Sequence, residues 1–232
     1  MRKVLIDAHT HTVASGHAYS SLQEMVMAAA DKGLEVLGIT EHGPRVPGTC
    51  PQLYFKNMFV VPRQMYGIRL LMGCEMNILD CQGSLDLTED YIDYLDLKIA
   101  GIHSAWYQGG TKEENTEGMI NVIRHQKMHI ISHPGDGSAE LDFEKLVLAA
   151  KEAHTLLEIN NHSLAPQLTL ALMLVLVGQT AGDVADLLGT KAVDEANVQQ
   201  YARTGTTAGI AVGLLQAVVF LILASLGVVS HL

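Results

Sequence analysis

Two histidines separated by a single residue follow the first apolar run of the chain. Residues 4–6 are apolar, and His9 and His11 come shortly after them, a pattern that predicts a buried strand with polar side chains at its carboxyl end. Side chains two residues apart on a strand share a face. His9 and His11 can therefore bind one metal ion, because neutral imidazole is a good ligand for zinc, iron, manganese or nickel. A single His-x-His pair is a weak signal, since polar residues commonly end strands.

The same arrangement recurs along the chain, which strengthens the metal interpretation. Apolar runs beginning near residues 36, 68, 97 and 129 each end in a histidine or a glutamate, and a sixth run at 156–159 precedes two asparagines. The candidate ligands are His9, His11, His17, His42, Glu75, His103 and His133. A carboxylate among imidazoles can bridge two cations, and paired ions about 3.5 to 4 Å apart are a recurrent arrangement for phosphoester hydrolysis.

Helical patterns separate these strands. They cover residues 20–33, a short segment near 55–60, residues 113–127 and residues 141–153. Strands alternating with helices predict an α/β fold with parallel strands, either an open doubly wound sheet or a closed barrel. A polar residue at every strand end favours the barrel, because active sites of such barrels gather at the carboxyl ends of the strands.

Composition excludes several classes of function. The chain has 15 basic and 25 acidic side chains and a net charge of -10, which argues against nonspecific binding to nucleic acid or anionic lipid. Its three cysteines lack zinc-finger spacing, which favours a reducing compartment without a disulfide framework. The short apolar run after residue 3 does not predict a secretory signal.

Six ordered motifs in residues 1–163 resemble the PHP (polymerase and histidinol phosphatase) superfamily, and specifically its YcdX-type phosphatase branch. They are Asp7-Ala8-His9-Thr10-His11-Thr12 with His17, Ile39-Thr40-Glu41-His42-Gly43-Pro44, Gly73-Cys74-Glu75-Met76-Asn77, Ala100-Gly101-Ile102-His103, Ile130-Ile131-Ser132-His133-Pro134-Gly135 and Leu157-Glu158-Ile159-Asn160-Asn161.

The resemblance implies a distorted seven-stranded (β/α) barrel that hydrolyses a small phosphomonoester at up to three cations, zinc or alternatively manganese or iron. Carried over by position, one ion would be held by His9, His11 and bridging Glu75. A second would be held by Glu75, His103 and His133, and a third by His17 and His42. The cations would activate water and stabilise charge on the phosphate oxygens. Arg45, near the second motif, is a candidate phosphate contact.

Beyond residue 163 the resemblance stops and the composition changes. Residues 164–232 carry only 2 basic and 4 acidic side chains, so we expect a separate apolar helical tail after a barrel that lacks its last strand. The family's seventh strand supplies an Asp and a His ligand in a Gly-Ser-Asp-x-His type motif that this chain does not contain. Asp183, Asp186 and His231 are the nearest substitutes, none of them well placed.

The end of the tail predicts a membrane helix. Residues 208–229 form 22 uncharged positions, long enough to cross a bilayer, and we predict a transmembrane helix at 207–229, with a fully buried helix as the alternative. Lys191 and Arg203 precede it, which favours a cytoplasmic catalytic domain. The alternative to an active phosphatase is a truncated or membrane-tethered metal-binding domain with little or no turnover. A nuclease fits poorly, since no basic groove is evident.

Overall fold

The computed structural model describes residues 5–159, and their main feature is a curled sheet of parallel strands. The strands are β1 (Ile6–Thr10), β2 (Val36–His42), β3 (Gln64–Met65), β4 (Ile68–Asn77), β5 (Leu97–Gly101), β6 (Ile130–Ile131) and β7 (Leu156–Leu157). The strand order is β1-β2-β4-β5-β6-β7, and β3 pairs antiparallel with β4 outside that path. The predicted α/β fold with parallel strands is therefore confirmed.

Helices connect the strands and cover the outer face of the sheet. They are α1 (Leu22–Asp31), α2 (Gln52–Asn57), α3 (Glu89–Ile92), α4 (Lys112–Gln126) and α5 (Phe143–Glu152). Capping boxes begin two of them: Ser21 with Glu24 opens α1, and Thr111 with Glu114 opens α4. These reciprocal side-chain bonds satisfy backbone N–H groups that a helix start leaves without partners.

The two faces of β4 have different surroundings because side chains alternate along a strand. Met72, Cys74 and Met76 are buried in the apolar core, which also contains Phe55 from α2 and Leu146 from α5. Glu75 therefore points to the opposite, concave face. Gly73 shares that face, where a Cβ atom would collide with the backbone carbonyl of Leu97 on β5.

The register places polar strand ends side by side. His42, the last residue of β2, pairs with Glu75 on β4, and Glu41 pairs with Cys74. His42 and Glu75 consequently share the concave face, whereas Glu41 points the other way. A β-bulge between Asp7 and Thr10 interrupts the pairing of β1 with β2, so the end of β1 is re-aimed just where His9 lies.

Curling of the sheet brings its first and last strands together at their carboxyl ends. In a flat sheet β1 and β7 would be ~24 Å apart, five spacings of about 4.8 Å. The side chains of His9 on β1 and Glu158 just after β7 nevertheless approach to 3.1 Å. Among residues 5–159, no ladder pairs β1 with β7, so the described sheet is a curled half-barrel.

Several elements differ from the sequence expectations. The first strand begins at Ile6 and includes His9, two residues later than the apolar run suggested. Two short elements, β3 and α3, were not predicted, since neither two nor four residues carry a readable period. The α2 segment starts at Gln52 and ends in a 3-10 turn at Met58–Val60.

No helix within residues 5–159 is long and apolar enough to cross a membrane. The predicted apolar tail at 164–232, the transmembrane helix at 207–229 and the substitute ligands at positions 183, 186 and 231 all lie outside the described residues.

Candidate metal centre

Glu75 is the centre of the candidate site. Its side chain is 1% exposed, although it is a carboxylate on the concave face of the sheet. Both of its oxygens face imidazole nitrogens contributed by other strand ends. A buried carboxylate needs such partners, because an ionised group without them would be strongly destabilising.

Five histidines approach Glu75, and its two oxygens divide them into two groups. Oε2 lies 3.2 Å from Nε2 of His9, 3.4 Å from Nε2 of His11 and 2.9 Å from Nδ1 of His42. Oε1 lies 2.9 Å from Nε2 of His133 and 3.5 Å from Nε2 of His103. One carboxylate therefore faces two separate sets of nitrogen atoms, which is the arrangement expected of a bridging ligand.

His17 completes the cluster on the side of His11 and His42. Its ring centroid is 5.2 Å from that of His11 and 4.7 Å from that of His42. All seven candidates from the sequence thus line one cavity of about 360 Å³, together with Glu158.

Three groups of side chains within the described residues have ligand atoms that all lie within 4.8 Å of one another. They are His9 with His11 and Glu75, then His42 with Glu75 and His103, and then His11 with His17 and His42. The first group is the set predicted from the sequence. The second group contains His42 where His133 was predicted. The third group contains His11 in addition to the predicted His17 and His42.

The nitrogen of His9 that faces away from Glu75 has a carboxylate partner. Nδ1 of His9 lies 3.1 Å from Oε2 of Glu158. An acceptor at Nδ1 holds a proton on that nitrogen and turns Nε2 toward Glu75, which is how carboxylates orient metal-binding histidines. His17 follows the same pattern more weakly, with Nδ1 3.4 Å from the backbone carbonyl of Ser15.

His133 has an unusual backbone conformation, and its backbone N–H donates to Glu158. Its φ of 30° is rare for a residue other than glycine, and such conformations cost of the order of 1–3 kcal/mol. The backbone N–H of His133 donates to Oε2 of Glu158 at 3.0 Å, and Oδ2 of Asp136 lies 3.0 Å from Nδ1 of its ring. Glu158 therefore supports both His9 and His133.

Sequence reasoning missed Glu158 and Asp136. Glu158 directly follows the apolar pair at 156–157, but the two asparagines after it are the more conspicuous polar residues of that motif. Its position after an apolar pair was an available signal. Asp136 lies in a turn after β6, where nothing in the sequence distinguishes it from a solvated loop residue.

Unpaired nitrogen atoms make the cluster fit a cation. Nε2 of His9 and Nδ1 of His42 are buried and have no hydrogen-bond partner among residues 5–159, despite distances of 3.2 and 2.9 Å to Oε2 of Glu75. Their orientation is therefore unsuited to donating a hydrogen bond to that oxygen. Two nitrogen atoms that face a carboxylate oxygen without forming a hydrogen bond to it are suited to share a divalent cation with that oxygen.

The carboxylates of the cluster favour positive charge beside them. Burial opposes ionisation of Glu75, but the imidazoles of His103, His11, His133 and His42 hold its pKa well below the ordinary value. Burial lowers the pKa of His9 and of His133, yet carboxylates outweigh it. Glu158 and Glu75 raise the pKa of His9 to about 9, and Asp136 and Glu75 raise that of His133 to about 10.

Arg45, the candidate phosphate contact, is not among the side chains that line this cavity. It is exposed, and its backbone N–H donates to Oδ2 of Asp86 at 3.0 Å. Its predicted role stays a prediction.

A curled parallel sheet whose strand ends present histidines around a buried carboxylate defines an α/β protein with a candidate polynuclear metal centre. The PHP domain family matches residues 7–204. The chain belongs to the PHP domain family, as its motifs indicated.

Relatives and one solved structure carry the comparison further. A probable phosphatase of Caldicellulosiruptor bescii is 47% identical over 158 residues, covering 68% of this chain and 66% of that protein. A probable phosphatase of Acetivibrio thermocellus is 47% identical over 162 residues, covering 69% and 67%. The alignments thus span about two thirds of these relatives.

The fold also resembles that of a histidinol phosphate phosphatase from Lactococcus lactis, solved with zinc, L-histidinol and phosphate. The TM-score is 0.51 at 18% identity, and the match covers 88% of this chain and 93% of the other.

Proposed function

We propose that this chain is a metal-dependent phosphatase that hydrolyses a small phosphomonoester. The observation that carries the proposal is the convergence of six histidines and buried Glu75 on one cavity, where buried imidazole nitrogens lack hydrogen-bond partners in the described part of the chain. The names of the two relatives support phosphatase activity, and the solved neighbour offers zinc as the first metal to test. Manganese and iron are the alternatives, because imidazole-rich sites accept all three.

The ligand roles follow from the three groups of side chains. One cation would be held by His9, His11 and Glu75, a second by Glu75 with His103 and His42 or His133, and a third by His11 or His42 with His17. Cations bound there would polarise phosphate oxygens and lower the pKa of water.

The protein residues contribute orientation and charge balance. Glu75 supplies one negative charge between the two groups of nitrogens. Glu158 accepts the proton of His9 Nδ1 in a hydrogen bond and so turns Nε2 toward the cation, which would displace the Nε2 proton on binding. The eight lining residues include no hydroxyl or thiol group, so these side chains offer no serine, threonine or cysteine nucleophile. Water activated by the bound cations would serve as the nucleophile in the proposed reaction.

Size and charge limit the substrate. A cavity of about 360 Å³ lies at the lower end of the range for small-molecule sites. The chain carries a net charge of -10, so a phosphate ester approaches favourably only where bound cations reverse the local potential. The curled sheet would then be the described part of a distorted (β/α)7 barrel.

The test uses the full chain. Bound metal is measured by elemental analysis, and hydrolysis of p-nitrophenyl phosphate is measured with zinc, manganese or iron(II), before and after EDTA treatment. Two or three ions per chain with turnover that EDTA removes and metal restores is the expected result. No bound ion and no metal-dependent turnover would refute the proposal.

If the full chain binds metal ions but shows no turnover, the alternative is favoured, namely a metal-binding domain with little or no catalysis. The alternative has a specific basis, since the alignment covers only about two thirds of the phosphatase relatives. Attachment to a membrane through residues 207–229 stays a separate prediction.

A further inference from the structure

Glu41 is a buried carboxylate that does not face the cavity. It is 0% exposed and lies on β2 next to His42, on the opposite side of the strand. Its described partners are uncharged groups from the turn after β1. The backbone N–H of Thr12 donates to Oε2 at 3.1 Å, and the hydroxyl of Thr12 donates to Oε1. The hydroxyl of Ser15 donates to Oε2 at 2.5 Å.

Ser15 connects this carboxylate to the candidate metal centre. Its Oγ lies 3.1 Å from Nδ1 of His11 and accepts the backbone N–H of His42 at 3.0 Å. Ser15 is 1% exposed, so these contacts are shielded from water. A serine hydroxyl has one proton to donate and two lone pairs to accept with. Glu41 accepts that proton, and both lone pairs therefore face N–H groups.

We infer that Glu41, acting through Ser15, is a positioning residue that fixes the tautomer of His11. Because the Ser15 proton is directed at Glu41, Oγ can only accept a hydrogen bond from His11. The proton of the neutral imidazole is then on Nδ1, and Nε2 is a lone pair. Nε2 is the atom that lies 3.4 Å from Oε2 of Glu75.

His9 is oriented differently, because the carboxylate of Glu158 contacts its ring directly. At His11 a serine stands between carboxylate and imidazole, and the same serine also holds the backbone of His42. A single hydroxyl thus aligns candidate ligands from β2 and from the turn after β1. The consequence for metal binding rests on the proposed function, whereas the tautomer of His11 does not.

The first test observes the tautomer directly in the full-length protein. Nitrogen-15 labelled histidine and long-range proton–nitrogen correlation spectra distinguish Nδ1–H from Nε2–H rings. Spectra are recorded without metal at a pH near 8.5, and the His11 signals are identified by their loss in His11→Gln. A His11 ring protonated at Nδ1 only is the expected result. Protonation at Nε2, or averaging between the two tautomers, would overturn the inference.

The second test removes the serine hydroxyl. Ser15→Ala deletes the acceptor of His11, so the ring should populate both tautomers, and zinc affinity of the full chain should fall about 10- to 100-fold, as when other outer ligand partners are removed. Ser84→Ala, an exposed serine remote in sequence, is the control and should change neither. An unaltered His11 tautomer in folded Ser15→Ala would overturn the inference. If the wild-type chain binds none of zinc, manganese and iron(II) and shows no metal-dependent turnover, the proposed function fails while the tautomer result stands.

Discussion

Oε1 of Glu75 lies 2.9 Å from Nε2 of His133, although 58 residues separate the two in sequence. The other oxygen of Glu75 faces His9, His11 and His42. Glu75→Gln removes the charge while keeping the shape, and an amide cannot present two anionic oxygens to two sets of ligands. Loss of a group that only hydrogen-bonds to a ligand lowers metal affinity about 10- to 100-fold. Glu75 is itself a proposed ligand, so we expect zinc affinity to fall by ~100-fold or more. Isothermal titration of the metal-free chain measures it.

Glu117→Gln is the matched control, since Glu117 is exposed on α4. This variant loses one negative charge, as Glu75→Gln does, but at a position outside the histidine cluster. Its zinc affinity should equal that of the wild type. Equal affinity in Glu75→Gln would contradict the bridging role.

Glu158 should matter more for geometry than for charge. Glu158→Ala removes the acceptor of both His9 Nδ1 and the His133 backbone N–H, and we expect zinc affinity to drop about 10- to 100-fold. Glu158→Gln retains one acceptor oxygen and should lie between the wild type and the alanine variant. The three proteins are compared by zinc titration, with circular dichroism to check folding. An alanine variant that binds zinc as tightly as the wild type would show that Glu158 is dispensable.

Gly118 lies inside α4, where alanine normally stabilises a helix by about 1 kcal/mol. Here a Cβ atom would lie 2.8 Å from the carbonyl oxygen of Cys81. Overpacking of this kind costs about 1–3 kcal/mol. After the helix gain of about 1 kcal/mol is subtracted, Gly118→Ala should lower the free energy of unfolding by up to about 2 kcal/mol. Urea denaturation measures the change. Glu117→Ala on the exposed face of the same helix is the control, and a stabilised Gly118→Ala would contradict the close packing.

His129 should make stability depend on pH in the acidic range. Its Nδ1 accepts the backbone N–H of Lys98 at 3.0 Å, which requires an unprotonated nitrogen. Partial burial, together with the charge of Lys98, lowers the pKa of His129. The folded state therefore prefers the neutral ring. This contribution is complete above the unfolded pKa of about 6.5 and is lost as pH falls through the lower folded value.

The check is the free energy of unfolding of wild type and His129→Gln at several pH values between 8 and 5, with EDTA present throughout. The wild type should lose more stability than the variant as pH falls. Parallel curves for the two proteins would show that His129 titrates alike in both states.

Six of the seven candidate ligands could be found from the sequence because they lie at or just after the end of an apolar run, whereas His17 was a candidate only through its place in the first motif. Parallel strands put such ends at one edge of the sheet, so their meeting required no tertiary detail. His42 shows where this reasoning stops. Its position at a strand end was predictable. The register of β2 against β4, which places His42 beside Glu75 and within two ligand groups, was not predictable.

The supporting residues were harder to predict for a different reason. Ser15 and Glu41 act through the direction of a hydroxyl proton and the alternation of side chains on β2, and neither leaves a pattern in the sequence. Asp136 depends on the turn after β6. Short elements such as β3 and α3 are set by tertiary contacts rather than by local periodicity.

The contact between His9 and Glu158 has a consequence for the order of folding. The two side chains are 149 residues apart, so the first strand must wait, during synthesis, until β7 has emerged from the ribosome before this side of the centre can close. Contacts of such long range form late, because closing the intervening loop costs entropy before any contact is gained. A cation that requires His9 in its final orientation would bind only chains that have completed the curl, and metal loading would thereby report the end of folding in this part of the protein.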